Sequence, residues 1–222
     1  MKEKMYLSEL AHITSSNRLL EAVVSQDLQW KEHLMYDKNS LIKQLNRRIN
    51  GLSLISKRSN FQTRLSVAEG IVLSKIIYLI QVWGGTYDYL VNALQVTQNR
   101  CMRQITGFSW YTPTGVLLRK CKWMSIRQLI AYHSILTIHK SCISGSPKYI
   151  FDKMHPASNY ETRHSVKYGA NFKGRSWRAQ SSLCYRGTVL YNRVPLEIIQ
   201  TEGITTFKRK LKRWIQENIP VN

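Results

Sequence analysis

The chain has 222 residues, 43% of them hydrophobic, a fraction typical of a globular protein. Its 33 Lys and Arg residues against 13 Asp and Glu residues give a net charge of +20. A compact fold tolerates this surplus best with a bound polyanion, so nucleic acid is the first partner to consider and a membrane surface the second. No apolar run reaches the roughly 20 residues of a spanning helix and no cleavable signal opens the chain, which predicts a soluble, intracellular protein without membrane partners.

Residues 1–29 predict a short β-hairpin. A polar patch at residues 15–17 precedes the segment RLLEAVVSQ, in which Val23 and Val24 favour an extended conformation. Because an isolated pair of strands is only marginally stable in water, we expect a larger part of the chain to cover this hairpin.

Residues 30–107 predict a helical bundle. The first helix carries apolar residues on one face and basic residues on another, with only Glu32 and Asp37 as nearby acids. A merely solvated face usually interleaves acids at i, i+4, so phosphate contact and solvation are equally supported here. The apolar face comprises Leu41, Ile42, Leu45, Ile49, Leu52 and Ile55, and the basic residues are Lys43, Arg47, Arg48, Lys57 and Arg58.

The stretch 65–107 is the expected centre of the bundle. Apolar residues on all faces of its first half indicate a buried helix, which the Gly-Gly pair at 84–85 ends. Thr86 or Asp88 can then cap an amphipathic helix that stops at Gly107. The helical stripes are Leu65, Ala68, Val72, Ile76, Leu79 and Trp83, then Leu90, Leu94, Thr97, Cys101 and Ile105.

Residues 108–154 predict three linked helices. The Thr-Pro pair at 112–113 is a cap followed by a favoured first-turn proline. Ser125 can cap a longer helix that ends at Gly145, and the Ser-Pro pair at 146–147 repeats the start signal for a brief third helix.

Residues 155–180 lose this periodicity and predict a long loop or an extended region. From Thr162 to Arg193 there are seven basic residues and no acid, with aromatic rings between them. Single-strand binding combines backbone neutralisation with base stacking and uses this pattern, although core rings and solvated cations would also produce it. The cations are Arg163, Lys167, Lys173, Arg175, Arg178, Arg186 and Arg193, and the rings are Tyr168, Phe172, Trp177, Tyr185 and Tyr191.

The end of the sequence predicts an amphipathic helix, capped at Thr205 or Thr206 and closed by Pro220. Its cations are candidates for phosphate contact and, less specifically, for nuclear localisation, so we expect the nucleus, with the cytoplasm as the alternative. The basic surplus grows along the chain, since residues 108–222 hold 19 basic and 5 acidic residues. The helix combines apolar Phe207, Leu211, Trp214 and Ile215 with basic Lys208, Arg209, Lys210, Lys212 and Arg213.

No metal site is indicated. The four cysteines lie about twenty or more residues apart, which predicts neither a disulfide framework nor a zinc ribbon. In the grouping Cys121, His133, His139 and Cys142, only His139 and Cys142 have a ligand-like spacing, so buried helical residues are the favoured interpretation.

The residues of common catalytic sites are also missing. Two-metal phosphoryl transfer needs converging carboxylates, whereas the four Asp residues are widely separated. Asp88, between Tyr87 and Tyr89, lacks the second acid of a polymerase motif, and no phosphate-binding Gly loop or nucleophile elbow is present. We therefore expect no catalysis by this chain alone and no cofactor on it.

Several segments, taken in order, carry a family resemblance. They are RLLEAVVSQDLQWKEHL, IIYLIQVWGGTYDYLVNALQVTQNRCMRQITG, WMSIRQL, SPKYI, RGTVLYNRVPLEI and FKRKLKRWIQENIP. Over nearly the whole chain their order resembles the C-terminal portion of LINE-like reverse transcriptases, the polymerases of non-LTR retrotransposons. The resemblance implies a palm-edge hairpin (1–29), a helical thumb (30–107) and a basic, mostly helical region (108–222), hence a mainly α fold.

The resemblance further implies a piece of an RNA-directed DNA polymerase that grips the RNA template and the RNA–DNA or DNA duplex. The palm's Asp residues, the fingers and an N-terminal endonuclease have no counterpart here, so polymerase activity is not carried over and Mg²⁺ is expected only for a full-length polymerase. The polypeptide with palm and fingers is then a further expected partner. Glu21 stands where the family commonly has Gly.

Three functions follow as hypotheses. The leading one is a nucleic-acid-gripping thumb and C-terminal region, the second is a truncated reading frame of an active reverse transcriptase, and the third is a helical module that packs on a separate protein partner. The predicted nucleic-acid-binding residues are Lys43, Arg47, Arg48, Lys57, Arg58, Arg163, Lys167, Phe172, Lys173, Arg175, Trp177, Arg178, Arg186, Lys208, Arg209 and Lys212.

Overall fold

Helices form most of the structure. The structure is a computed structural model, and it describes residues 16–25, 29–56, 59–152, 154–155, 169–170 and 176–221. The predicted mainly α class is therefore confirmed. One hydrophobic core runs through the bundle, from Leu34 near its start to Ile215 in its last helix. Within the described part of the chain, no helix has the length and apolarity needed to cross a bilayer.

The N-terminal hairpin consists of β1 (Ser16–Leu19) and β2 (Ala22–Ser25), which pair antiparallel. The predicted cover is only partial, since Ala22 and Val23 are buried whereas Leu19 and Leu20 are 65% and 72% exposed. The hydroxyl of Tyr78 donates to the carbonyl oxygen of Leu20 at 2.9 Å. A π-helical turn, Glu32–Tyr36, leads from the hairpin into the bundle.

The first long helix, α1 (Leu41–Ser56), buries most of its predicted apolar face. Next, α2 (Phe61–Ala68) continues through a π-helical turn (Glu69–Leu73) into α3 (Ser74–Ile77). A π turn disturbs the regular ladder of backbone hydrogen bonds. Arg48 of α1 donates from Nη1 to the carbonyl oxygen of Ile71 inside this turn, at 2.6 Å, and so ties α1 to the irregular segment.

The prediction of one uninterrupted helix up to the Gly-Gly pair is wrong, because the helix breaks after α3. Leu79 has a φ of 55°, in the left-handed region, before the chain resumes as α4 (Ile80–Trp83). The indole Nε1 of Trp83 donates to the carbonyl oxygen of Tyr78 at 3.0 Å, which satisfies a backbone group at the break. Tyr78 itself is 42% exposed, so burial on all faces is not observed.

The predicted helices that follow are confirmed, but two of their predicted N-terminal caps are wrong. The N-cap residues are Tyr87 and Pro113 instead of Thr86 or Asp88 and Thr112, and neither forms a side-chain cap bond. Gly107, with a φ of 71°, ends the first of them, and the stripe from Leu90 to Ile105 is buried. Ser125 forms a capping box with Gln128 and Gly145 ends that helix. The elements are α5 (Asp88–Thr106), α6 (Thr114–Cys121), α7 (Ile126–Ser144) and α8 (Lys148–Phe151).

Beyond α8, short strands β3 (Met154–His155) and β4 (Gly169–Ala170) pair antiparallel. The helices α9 (Trp177–Ser181), α10 (Leu183–Arg193), α11 (Leu196–Ile199) and α12 (Ile204–Asn218) follow. The predicted cap at Thr205 or Thr206 is wrong, because α12 begins after Gly203 and contains both threonines. Helix α10 packs along α7, and Gly187 permits this close approach, since a Cβ there would lie 2.7 Å from Ile138 Cγ1. Helix α9 begins inside the stretch 155–180, which was expected to be a loop or extended, and α10 is not predicted by the sequence either.

Candidate nucleic-acid interface

A basic groove lies between α6 and α12 and encloses about 540 Å³. Its cations come from distant parts of the sequence, Arg119 and Lys122 on one wall and Lys212 on the other. Leu118 and Val221 add apolar surface, and none of the described residues that line the groove is acidic. Three cations around an open, acid-free groove form a surface that can neutralise phosphate groups.

The α6 wall is held by buried groups directly after the helix. Lys122 takes a left-handed conformation with a φ of 57°, so the chain turns sharply and Trp123 enters the core. The indole Nε1 of Trp123 donates to Glu69 Oε1 at 3.0 Å, and Gln98 Nε2 donates to the carbonyl oxygen of Met124 at 3.0 Å. These bonds fix the backbone from which Lys122 projects.

The α12 wall presents cations because its apolar stripe faces the core. Lys212 and Arg209 are exposed, whereas Lys208 is half-buried. Arg209 lines a second depression of about 460 Å³, which also contains Lys210 and Arg213 but includes Glu217. Thus Lys212 alone of the three predicted α12 residues lies in the acid-free groove. The buried stripe consists of Phe207, Leu211 and Ile215.

Few of the basic side chains in the described part of the chain are neutralised by ion pairs. Between described residues the structure shows a pair of Lys75 Nζ with Glu21 Oε2 at 2.6 Å and a pair of Arg127 Nη1 with Asp88 Oδ1 at 2.7 Å. Neither pair involves a cation of the groove. Electrostatic attraction for a polyanion is therefore retained there.

The predicted α1 residues Lys43 and Arg47 are exposed and form hydrogen bonds with the turn before α1. Lys43 Nζ donates to the carbonyl oxygen of Asp37 at 3.0 Å, and Arg47 Nη2 donates to Asn39 Oδ1 at 2.7 Å. Arg100, which was not among the predicted binding residues, joins α1 from α5. Its guanidinium donates to the side-chain oxygens of two α1 residues, Asn46 and Asn50, at 3.0 and 2.9 Å.

Two of the predicted binding residues make internal contacts. The guanidinium of Arg48 is engaged with the Ile71 carbonyl of the π-helical turn. Arg186 Nη2 donates to the carbonyl oxygen of Gln81 and to Ser134 Oγ, both at 3.3 Å, and burial lowers the pKa of Arg186 to about 10. These bonds join α10 to α4 and α7, which gives Arg186 a role in packing.

Trp177 is the described member of the predicted aromatic segment with an exposed ring. Its indole stacks on the ring of Tyr87, with centroids 4.5 Å apart and an interplanar angle of 8°. Lys31 Nζ lies 5.0 Å from the centroid of Tyr87. Trp177 remains 40% exposed, so its stack on the bundle does not cover the whole indole.

Several predicted site residues lie outside the described part of the chain. They are Lys57, Arg58, Arg163, Lys167, Phe172, Lys173 and Arg175, together with the side chain of Arg178.

The histidine and cysteine grouping is packed into the bundle. His139 stacks on Phe207, with centroids 3.6 Å apart, and its Nδ1 lies 3.2 Å from the hydroxyl of Tyr191. Burial lowers the pKa of His139 and raises the pKa of the Cys121 thiol to about 11, which keeps that thiol protonated at neutral pH. Among the described residues, no group of three or more His, Cys, Asp and Glu is placed to hold a metal ion.

Sequence reasoning missed Arg119 and Lys122, although a signal for them exists. From Tyr89 to Phe151 the sequence contains eight basic residues and no acidic one. Cations interleaved with rings and charged helix faces point instead to other residues. The meeting of α6 and α12 could not be predicted in that way, because it depends on long-range packing.

Comparison of the chain with protein-family models, with curated proteins and with solved structures finds no match.

Proposed function

We propose that this chain is a nucleic-acid-binding thumb and C-terminal region of a LINE-like reverse transcriptase, which grips the template and primer and is catalytically inactive alone. The observation that carries nucleic-acid binding is the acid-free groove in which Arg119, Lys122 and Lys212 meet, and the family rests on the sequence resemblance. The net charge of +20 supports it, because a polyanion relieves the self-repulsion of such a fold.

The proposed mode of binding is neutralisation of the phosphate backbone. Lys and Arg side chains on rigid walls contact successive phosphates, and the release of condensed counterions drives association. Contacts to the phosphate backbone do not depend on the base sequence of the nucleic acid. This surface therefore fits a protein that must bind templates and primers of any sequence. RNA, an RNA–DNA duplex and a DNA duplex are the proposed ligands.

Fluorescence anisotropy with labelled RNA and with a labelled RNA–DNA duplex, across a salt series, tests the proposal. The logarithm of the affinity should fall with the logarithm of salt by about 0.9 per neutralised phosphate on duplex and about 0.7 on single strands. Binding that is undetectable at low salt, or that ignores salt, contradicts the proposal. A folded, monodisperse protein with that result would instead support the module that packs on a protein partner.

A further inference from the structure

The loop between α5 and α6 displays aromatic rings to solvent. Trp110 is 65% exposed and Tyr111 is 91% exposed, and Phe108 precedes them with a partly exposed ring. Single large apolar side chains are common on protein surfaces, but three within four residues form a local patch.

Hydrogen bonds at both ends of the loop hold it in one shape. The backbone N–H of Phe108 donates to Thr106 Oγ1 at 3.3 Å, and the backbone N–H of Thr112 donates to the carbonyl oxygen of Ser109 at 3.1 Å. In addition, Arg103 Nη2 donates to the carbonyl oxygen of Thr112 at 3.3 Å. The rings are thus presented on a constrained turn, which lowers the entropy lost on binding.

Arg103 also orients the indole of Trp110. Its guanidinium carbon lies 4.6 Å from the ring centroid, a cation–π arrangement that places positive charge behind one face of the ring. The rest of the indole stays exposed. A flat ring backed by a cation suits a partner that has a π face and negative charge.

The charge around the loop selects among partners. Residues 103–122 hold the four cations Arg103, Arg119, Lys120 and Lys122 and no acid. Lys122 and Arg119 line the basic groove at the far end of α6, the helix that directly follows the loop. A nucleic-acid strand complements both features of this surface, because its bases can stack on the rings and its polyanionic backbone attracts the cations.

We propose that Trp110 and Tyr111 form a stacking platform for unpaired nucleobases, such as those of a single-stranded template next to a duplex. This inference rests on the proposed function, because it assigns the unpaired part of the same ligand to a second surface. Duplex bases are already stacked on one another, so the platform discriminates in favour of single strands.

The test compares wild type with a Trp110→Ala, Tyr111→Ala double variant on oligo(U) and on an RNA duplex. We expect the double variant to lose about 5- to 150-fold in oligo(U) affinity for each base that stacks, with duplex affinity and the salt dependence unchanged. The matched control, Trp110→Phe with Tyr111→Phe, keeps both rings and should stay within about threefold of wild type.

The failures of the two proposals are distinguishable. If wild type binds both ligands with strong salt dependence but the double Ala variant binds oligo(U) equally well, the platform is overturned and the basic groove stands. An equal loss on oligo(U) and duplex also overturns the platform, because the rings would then support the fold or the groove. If wild type binds neither ligand at low salt, the proposed function fails together with the platform.

Discussion

The indole of Trp177 lies nearly parallel to the phenol ring of Tyr87, with their centroids 4.5 Å apart. The two residues belong to α9 and to the turn before α5, so the stack ties the C-terminal region to the bundle. Aromatic pairs contribute about 0.5–1.5 kcal/mol beyond the area they bury. A double-mutant cycle with Trp177→Ala and Tyr87→Ala should therefore show a coupling of about that size in the free energy of urea unfolding.

A control cycle pairs Trp177→Ala with Tyr149→Ala. Tyr149 is exposed in α8, and its effect should add to that of Trp177 within about 0.5 kcal/mol. Additive effects in the Trp177–Tyr87 cycle as well would show that the stack does not stabilise the fold.

Replacing Gly85 by Ala should destabilise the protein. A Cβ at this position would overlap the carbonyl oxygen of Ser181, at the end of α9. Relief of such overpacking costs about 1–3 kcal/mol in cores. We expect a lower urea midpoint for Gly85→Ala in an equilibrium unfolding experiment.

Gly51→Ala is the matched control, since Gly51 lies inside α1 and its added Cβ would meet no atom within 4 Å. Replacement of a helix-interior Gly by Ala should stabilise the protein by about 0.5–1 kcal/mol. The close approach of α9 is refuted if the two substitutions shift the midpoint in the same direction.

Stability should decline in mild acid because of one buried and one half-buried histidine, His139 and His133. Burial lowers the pKa of His139 and of His133, and in the case of His133 the nearby Lys140 contributes as well. Below the ordinary pKa of 6.5 the unfolded chain takes up protons that the folded protein resists, so unfolding becomes more favourable as pH falls through that value and towards the lowered pKa values.

Thermal unfolding from pH 7.5 to about pH 5 measures this effect. His139→Gln removes one titrating group and should reduce the drop in Tm over that range, while its Tm at neutral pH falls because the stack on Phe207 is removed. A pH profile with the same slope in wild type and in His139→Gln would contradict the assignment.

Neighbouring arginines in α1 should behave differently. Arg48→Met deletes a charged hydrogen bond to the Ile71 carbonyl and should cost about 1.5–3 kcal/mol of folding free energy. Arg47→Met affects an exposed bond to Asn39 and should stay within about 0.5 kcal/mol of wild type. Chemical denaturation measures both, and equal costs would remove the special role of Arg48.

The mainly α fold was predictable because the signals that start and end its helices are local in sequence. Gly107, Gly145 and the Ser125 capping box end or start helices through interactions within a few residues, and each occurs where the sequence indicates. The break at Leu79 was not predictable in this way, because no Gly or Pro marks it and a tertiary bond from Trp83 accompanies it.

The candidate site was only partly predictable for the same reason. A local pattern of charge on an amphipathic helix predicts Lys212, which lines the groove. Arg48 and Arg186 carry the same charge in similar patterns, yet their guanidiniums bond to internal oxygens. Sequence periodicity gives the face of a helix but does not reveal which backbone oxygen lies opposite a long side chain.

The salt dependence of nucleic-acid binding by a groove variant tests the central claim most directly. The variant Arg119→Gln, Lys122→Gln, Lys212→Gln is compared with Lys38→Gln, Lys140→Gln, Lys148→Gln, which removes the same charge from exposed sites outside the groove. We predict that the slope of log affinity against log salt on an RNA–DNA duplex shrinks by about 0.9 for each phosphate that the groove variant no longer neutralises, and that it stays close to wild type in the control. Equal slopes for the two variants would show that net charge alone attracts the ligand, and would contradict a grip through this groove.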